Sequence, residues 1–116
     1  MALKHRVDRM DVLQGTLDML ILQTLESGPH HGLSVSQRIR TRSEELLRIE
    51  AGSLYPALHK LEDRGWVRSA WKVSDKGQRA KYYSLTTAGR KQLTAEQGKW
   101  ARLVRAMALV MRPAEK

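Results

Sequence analysis

The chain contains no cysteine and no phenylalanine. Without cysteine there is no disulfide, no thiolate metal ligand and no cysteine nucleophile, which agrees with a reducing compartment and an expected place in the cytoplasm. Long apolar runs are missing too. Runs such as Met19-Leu20-Ile21-Leu22 and Ala106-Met107-Ala108-Leu109-Val110-Met111 are far too short to span a bilayer. The N-terminus carries basic residues but no apolar stretch of signal-peptide length, so neither export nor a membrane partner is expected. No glycine-rich phosphate loop occurs, and no cofactor is expected. The serines, Asp18, Glu50 and the four histidines form no spacing suited to a triad, a carboxylate pair or a metal site. No catalytic and no metal-binding residue is therefore assigned, and the chain does not read as an enzyme. His30-His31-Gly32 is read as a turn, since two adjacent imidazoles without cysteine or clustered carboxylates make a poor metal site.

Acidic residues are in the minority. Twelve Asp and Glu face 21 Lys and Arg, a formal net charge of +9. An excess of this size points to a polyanionic partner, nucleic acid before an acidic membrane surface, because neutralised phosphates release counterions. With 41% hydrophobic and 28% charged residues, the chain should fold rather than stay disordered. Its 116 residues make one compact domain with a modest core, and a helix left over would seek a partner chain.

Residues 1–12 read as a basic N-terminal arm with Lys4, Arg6 and Arg9. A first helix is predicted from about Leu13 to Ser27. Leu13, Leu17, Leu20, Ile21 and Leu25 share one face, and Met19 and Leu22 point the other way beside Val12. A helix apolar on two sides should be buried on two sides, the second against the chain's own last helix or another subunit. A second helix is predicted over about Gly32 to Arg42, with Leu33, Val35 and Ile39 as its apolar positions. Leu46-Leu47-Arg48-Ile49 extends the helical region or forms a brief strand. The third helix, about Ala51 to Arg64, turns Leu54, Leu58 and Leu61 inward at helical spacing and stops at Gly65. Pro56 is tolerated near a helix start, which puts the N-cap at Gly52 or Ser53, or a residue or two earlier.

Trp66–Lys72 and Arg79–Leu85 read as a hairpin with residues 74–78 as its loop, basic at Lys72, Lys76, Arg79 and Lys81. The last helix runs from about Thr87 to Met111, with Thr86 as N-cap. Leu93, Trp100, Val104, Met107 and Met111 form a coiled-coil-like stripe along it, widened by Leu103 and Val110. It is roughly 35 Å long at 1.5 Å per residue, more than a small domain needs to cover its own core.

Helix, strand, turn and strand in a small basic chain is the layout of a helix offered to a DNA groove beside a flanking wing. The expected fold is mainly α with a small β-hairpin (α+β). A winged helix-turn-helix domain spans 13–86, and a C-terminal dimerisation helix spans 87–112. The DNA-binding candidates are Ser53, Tyr55, Pro56, His59, Lys60 and Arg64 on the third helix and Arg79 and Lys81 on the wing. Lys60 can hydrogen-bond guanine or phosphate, whereas Tyr55 and Ser53 suit phosphate or sugar contacts. The dimerisation candidates are Met19, Leu22, Leu93, Trp100, Leu103, Val104, Met107 and Met111.

Several of these segments carry a family resemblance. Gly15-Thr16-Leu17-Asp18-Met19-Leu20-Ile21-Leu22, His31-Gly32, Gly52-Ser53-Leu54-Tyr55-Pro56-Ala57-Leu58, Leu61-Glu62-Asp63-Arg64-Gly65-Trp66 and Arg79-Ala80-Lys81-Tyr82-Tyr83-Ser84-Leu85-Thr86 occur in the order seen in PadR-type transcriptional regulators. The chain resembles the short-tailed kind over nearly everything from Leu13 to Met111. The resemblance implies a winged-helix homodimer whose last helix packs on its partner, commonly around the first helix. It also implies a repressor of nearby genes binding double-stranded DNA at an inverted-repeat operator. Several members are relieved by small phenolic or drug-like ligands, and some short-tailed ones hold flat aromatic drugs between paired tryptophans. Trp100 sits at the matching place and is the candidate ligand residue. Two rival readings stand beside this one: a sequence-tolerant architectural nucleic-acid-binding protein, which uses the same charge, and a helical module whose winged domain binds protein.

Overall fold

The computed structural model describes residues 16–114. The basic arm over 1–12 and the predicted helix start at Leu13, with Val12, lie outside the described residues. Helix α1 occupies residues 16–25. It is followed by β1 (His30–His31), α2 (Gly32–Arg42), α3 (Ala51–Asp63), β2 (Val67–Val73), β3 (Arg79–Leu85) and α4 (Thr87–Met111). The three strands form one antiparallel sheet in the order β1-β3-β2.

The core is assembled from one face of each helix and the base of the hairpin. Leu17, Ile21, Leu22 and Leu25 of α1 meet Val35 and Ile39 of α2, Leu54, Ala57, Leu58 and Leu61 of α3, Val67, Tyr83 and Leu85 of the hairpin, and Leu93 of α4. Two residues predicted to face a partner thus belong to the chain's own core. Leu22 is 0% exposed and Leu93 is 2% exposed. The second apolar side of α1 is closed within the chain at Leu22, while Met19 stays partly exposed. Leu33 departs from its predicted place in the other direction. It is 57% exposed, because it lies at the start of α2 outside the Val35–Ile39 face.

His30-His31 is a short strand and not a turn. It adds to the free edge of β3, with His30 opposite Tyr83 and His31 opposite Tyr82. His31 then caps α2, its Nδ1 accepting from the Ser34 N–H at 3.1 Å. The segment Leu46–Ile49 is neither helix nor strand. Glu44 (φ 53°) and Glu45 (φ 70°) enter the left-handed region and end α2. Their N–H groups bond back to Thr41 O (3.0 Å) and Arg40 O (2.8 Å). Arg40 Nε holds Glu45 Oε1 at 2.6 Å, which helps retain a conformation that non-glycine residues seldom adopt. Leu47 and Ile49 still pack against the core, whereas Leu46 is exposed.

Helix α3 starts earlier than Gly52, with Glu50 as N-cap, so Pro56 lies inside the helix. Its ring fits helical φ, and the lost bond is the one Gly52 O would have accepted. The far end closes as a Schellman motif. Gly65 takes φ 77°, its N–H bonds Glu62 O at 3.0 Å, and the Trp66 N–H bonds Leu61 O at 3.0 Å. Strand β2 begins one residue later than predicted, at Val67. The start of α4 is fastened to this corner. Thr86 accepts from the Gly89 N–H at 3.0 Å as N-cap, donates to Gly65 O at 2.6 Å, and its N–H bonds Trp66 O at 3.1 Å. A Cβ at Gly89 would overlap the Trp66 carbonyl oxygen, so only glycine lets the helix come this close.

Candidate nucleic-acid interface

Helix α3 has a simple division of labour. Leu54, Ala57, Leu58 and Leu61 are buried, which fixes the rotation of the helix and turns Tyr55, Pro56, His59 and Lys60 outward, with Ser53 at the boundary. Within that outer face the residues fall on two sides. Tyr55 and His59 lean toward the hairpin. Lys60 leans toward α1, where its Nζ lies 2.8 Å from Asp18 Oδ2.

The hairpin supplies the opposite wall. Strand register pairs Val67 with Leu85, Ser69 with Tyr83, Trp71 with Lys81 and Val73 with Arg79, and alternate residues share a face. The buried Val67, Tyr83 and Leu85 mark the face turned to the helices. Trp71, Lys81, Val73 and Arg79 continue that face beyond the core. The Arg79 guanidinium stacks on Trp71, 4.9 Å from the ring centroid. On the other face, the Lys72 ammonium lies 5.4 Å from the Tyr82 ring, and Tyr82 meets His31 edge-on at 5.5 Å.

Between these walls lies a cleft of about 450 Å³, lined among others by Leu33, Tyr55, His59, Trp71 and Lys81. Tyr55 is seated at its inner end. A Cβ on Gly32 would come 2.6 Å from the Tyr55 ring, so the phenol occupies the space that glycine leaves open at the start of α2. Glu62 sets the angle between helix and wing. Its Oε2 accepts from Ser69 Oγ at 2.5 Å and its Oε1 lies 3.8 Å from Lys81 Nζ. Burial, and then the neighbouring charges of Glu62 and Tyr55, push the Tyr83 phenol above its ordinary pKa. The phenol therefore stays neutral in the floor of this joint.

Of the predicted DNA-binding residues, Tyr55, His59 and Lys81 meet around the cleft. Ser53, Pro56 and Lys60 share the outer face of the same helix, and Arg79 stands on the wing beside them. Arg64 does not join this group. It is the C-cap of α3, with its guanidinium 5.3 Å over Trp66, at the end of the helix fastened to α4. Gly32, Leu33 and Trp71 are not among the DNA-binding candidates read from the sequence. Strand parity counted from Val67 was the available signal for Trp71.

The histidine pair is engaged in local structure. His30 Nδ1 lies 3.2 Å from Ser34 Oγ and its Nε2 3.4 Å from Ser27 Oγ. Burial, followed by the charges of Arg38 and His31, lowers its pKa. No group of three or more residues that could hold a metal ion occurs among the described residues. None of the described helices is long and apolar enough to cross a membrane. Along α4, Trp100, Leu103, Val104, Met107 and Met111 all stand exposed.

Comparison with known proteins gives a consistent assignment. The profile of the Transcriptional regulator PadR-like family matches residues 21–95. An uncharacterized protein of Lysinibacillus sphaericus is 31% identical over 104 residues, covering 89% of this chain and 94% of that protein. The structure of a transcriptional regulator from Clostridium thermocellum is similar with a TM-score of 0.80 and 29% identity, over 88% of this chain and 99% of the other. The crystal structure of a PadR family transcriptional regulator from Eggerthella lenta gives a TM-score of 0.79 and 28% identity over 98% and 99%.

Proposed function

The chain belongs to the PadR-like family of transcriptional regulators, a DNA-binding regulator and not an enzyme, and from that premise we propose that it is a homodimeric repressor of an inverted-repeat operator in the cytoplasm. The observation that carries the reading is the meeting of two outward surfaces, the polar face of α3 and the core-side face of the wing, at one cleft. With α3 in a major groove and the wing in the adjoining minor groove, the strand between the grooves passes between helix and wing. Tyr55, His59, Lys81 and Trp71 then contact sugar and phosphate and position the protein. Ser53, Pro56 and Lys60 face the groove, and Arg79 grips backbone from the wing. Residues 13–86 serve as the reading unit.

Residues 87–112 serve as the partner-binding helix. The exposed Trp100, Leu103, Val104, Met107 and Met111, with the partly exposed Met19, support a seam between two copies. Two α3 helices related by a two-fold axis then enter successive major grooves, with half-sites roughly 34 Å apart. A flat aromatic ligand stacked on Trp100 in that seam is the proposed means of relief.

Selection of bound fragments from random duplex DNA tests the reading. An inverted repeat with half-sites one helical turn apart is the expected product, and Tyr55→Ala should bind it at least about tenfold more weakly while remaining dimeric. Recovery of no preferred sequence, with equal affinity for every duplex, would establish the architectural alternative instead.

A further inference from the structure

We propose that Asp18 is a specificity-determining residue: by pairing with Lys60 it keeps that lysine for base edges and withholds it from indiscriminate attraction to phosphate. This deepens the operator-binding reading and rests on it.

Lys60 is the cation on the outer face of α3 that stands nearest α1, and its Nζ lies 2.8 Å from Asp18 Oδ2. The pair is tertiary, linking two separate helices. The buried Leu17 and Ile21 flank Asp18 and the buried Leu61 follows Lys60, so both backbones are fixed by the core. The carboxylate is the more enclosed partner, 24% exposed against 45% for the lysine side chain. The ammonium is therefore held at the edge of the reading face with part of its surface open.

An ammonium has three N–H donors. With one directed at Asp18, the others remain for directional acceptors such as guanine O6 and N7. A phosphate drawn to the same ammonium meets the Asp18 carboxylate beside it. The pair is close to neutral as seen by the polyanion, and a lysine already matched to a fixed carboxylate releases little condensed counterion. Sequence-independent affinity thus loses one cation per chain, while the hydrogen-bonding capacity of Lys60 is retained.

The test compares wild type, Asp18→Asn and Asp18→Glu by fluorescence anisotropy, over a range of salt, on a random-sequence duplex of about one operator length and on the selected fragment. Glu96→Gln is the charge-matched control, since Glu96 pairs with Lys99 at 3.7 Å on α4, away from the reading face. Asp18→Asn should steepen the log–log salt slope on random duplex by about 0.9 per chain, near two per dimer. It should tighten binding to random duplex several-fold and lower the operator-to-random ratio by a similar factor. Asp18→Glu should restore the wild-type slope, and Glu96→Gln should leave it unchanged. A partly exposed ion pair contributes modestly to folding, and Asp18→Ser serves the same purpose if the asparagine variant is poorly stable. An unchanged slope, or an equal change in Glu96→Gln, overturns the assignment. A wild-type protein without sequence preference would remove the operator reading and with it a role of Asp18 in specificity, and the slope on random duplex would still decide whether Asp18 withholds Lys60 from phosphate.

Discussion

Val104→Asp separates a free tail from a dimer seam. In the single chain, Val104 is 46% exposed, between Trp100 at 42% and Met107 at 55%. None of the residues 94–114 is buried. On an exposed helix surface such a substitution changes stability by no more than about 0.5 kcal/mol. In a symmetric seam it places two unpaired carboxylates per dimer in an apolar contact. Each uncompensated buried charge costs about 3–5 kcal/mol, so the dimer loses about 6–10 kcal/mol, roughly four to seven decades in dissociation constant. Even a nanomolar dimer would then be largely dissociated at micromolar concentration. A second signal follows from the geometry. Beyond Leu93, no residue of α4 is buried within its own chain, and isolated helices of this length are marginal in water. The variant should therefore lose helical circular dichroism from the distal part of α4 as it dissociates. Sedimentation equilibrium and far-ultraviolet circular dichroism read the two effects together. A Val104→Asp protein that stays dimeric at micromolar concentration with full helicity would refute the seam.

Gly32→Ala should act through Tyr55: the added methyl displaces the phenol from the cleft, lowering operator affinity about tenfold, or about 1.4 kcal/mol, with little change in dimerisation. An affinity equal to wild type by anisotropy would show that the seat of Tyr55 is irrelevant to binding. Glu62→Gln removes one of the charges that raise the Tyr83 pKa. Spectrophotometric titration should find the Tyr83 midpoint lower than in wild type but still above 10.0, because burial is the larger cause. His30 is held below its usual 6.5 in the fold, so the unfolded chain takes up that proton first as pH falls. Its contribution to stability is constant above the usual histidine range and is lost as pH drops from 6.5 through the lowered folded value. Denaturant midpoints measured across that window should fall for wild type and fall less for His30→Asn.

The helices were legible where periodicity and punctuation agreed. Val35 and Ile39 in α2, the Leu54–Leu58–Leu61 row in α3 and the Thr86 cap of α4 follow from spacing and local chemistry, and each took its expected place. The errors arose where tertiary contacts decided. His30-His31 looks like a turn after Pro29, yet the free edge of β3 supplies partners for a strand. Leu22 and Leu93 continue apolar stripes that could face either the core or a partner, and periodicity does not distinguish the two. Leu33 shares the composition of a core position but lies a residue outside the buried face. Lys60 looked like an unencumbered reader because its partner, Asp18, lies more than forty positions away in the chain. Trp71 is different, since strand parity counted from Val67 already places it on the core-side face.

These contacts give α1 a role that its sequence does not advertise. Its core face packs with Leu54 and Leu58 of α3 in one cluster, and Asp18 reaches Lys60 on the same helix. On the α4 side, Gln97 Nε2 donates to Gln23 Oε1 at 2.6 Å, one turn beyond the buried Leu93. The helix proposed to read DNA and the helix proposed to meet a partner thus rest on the same short rod. A closely packed layer transmits displacement rather than absorbing it. In the proposed dimer, a change in the angle between two α4 helices, such as a flat ligand at Trp100 would impose, has a path to α3 through α1. The lysine at the edge of the reading face is tied directly to that connecting helix.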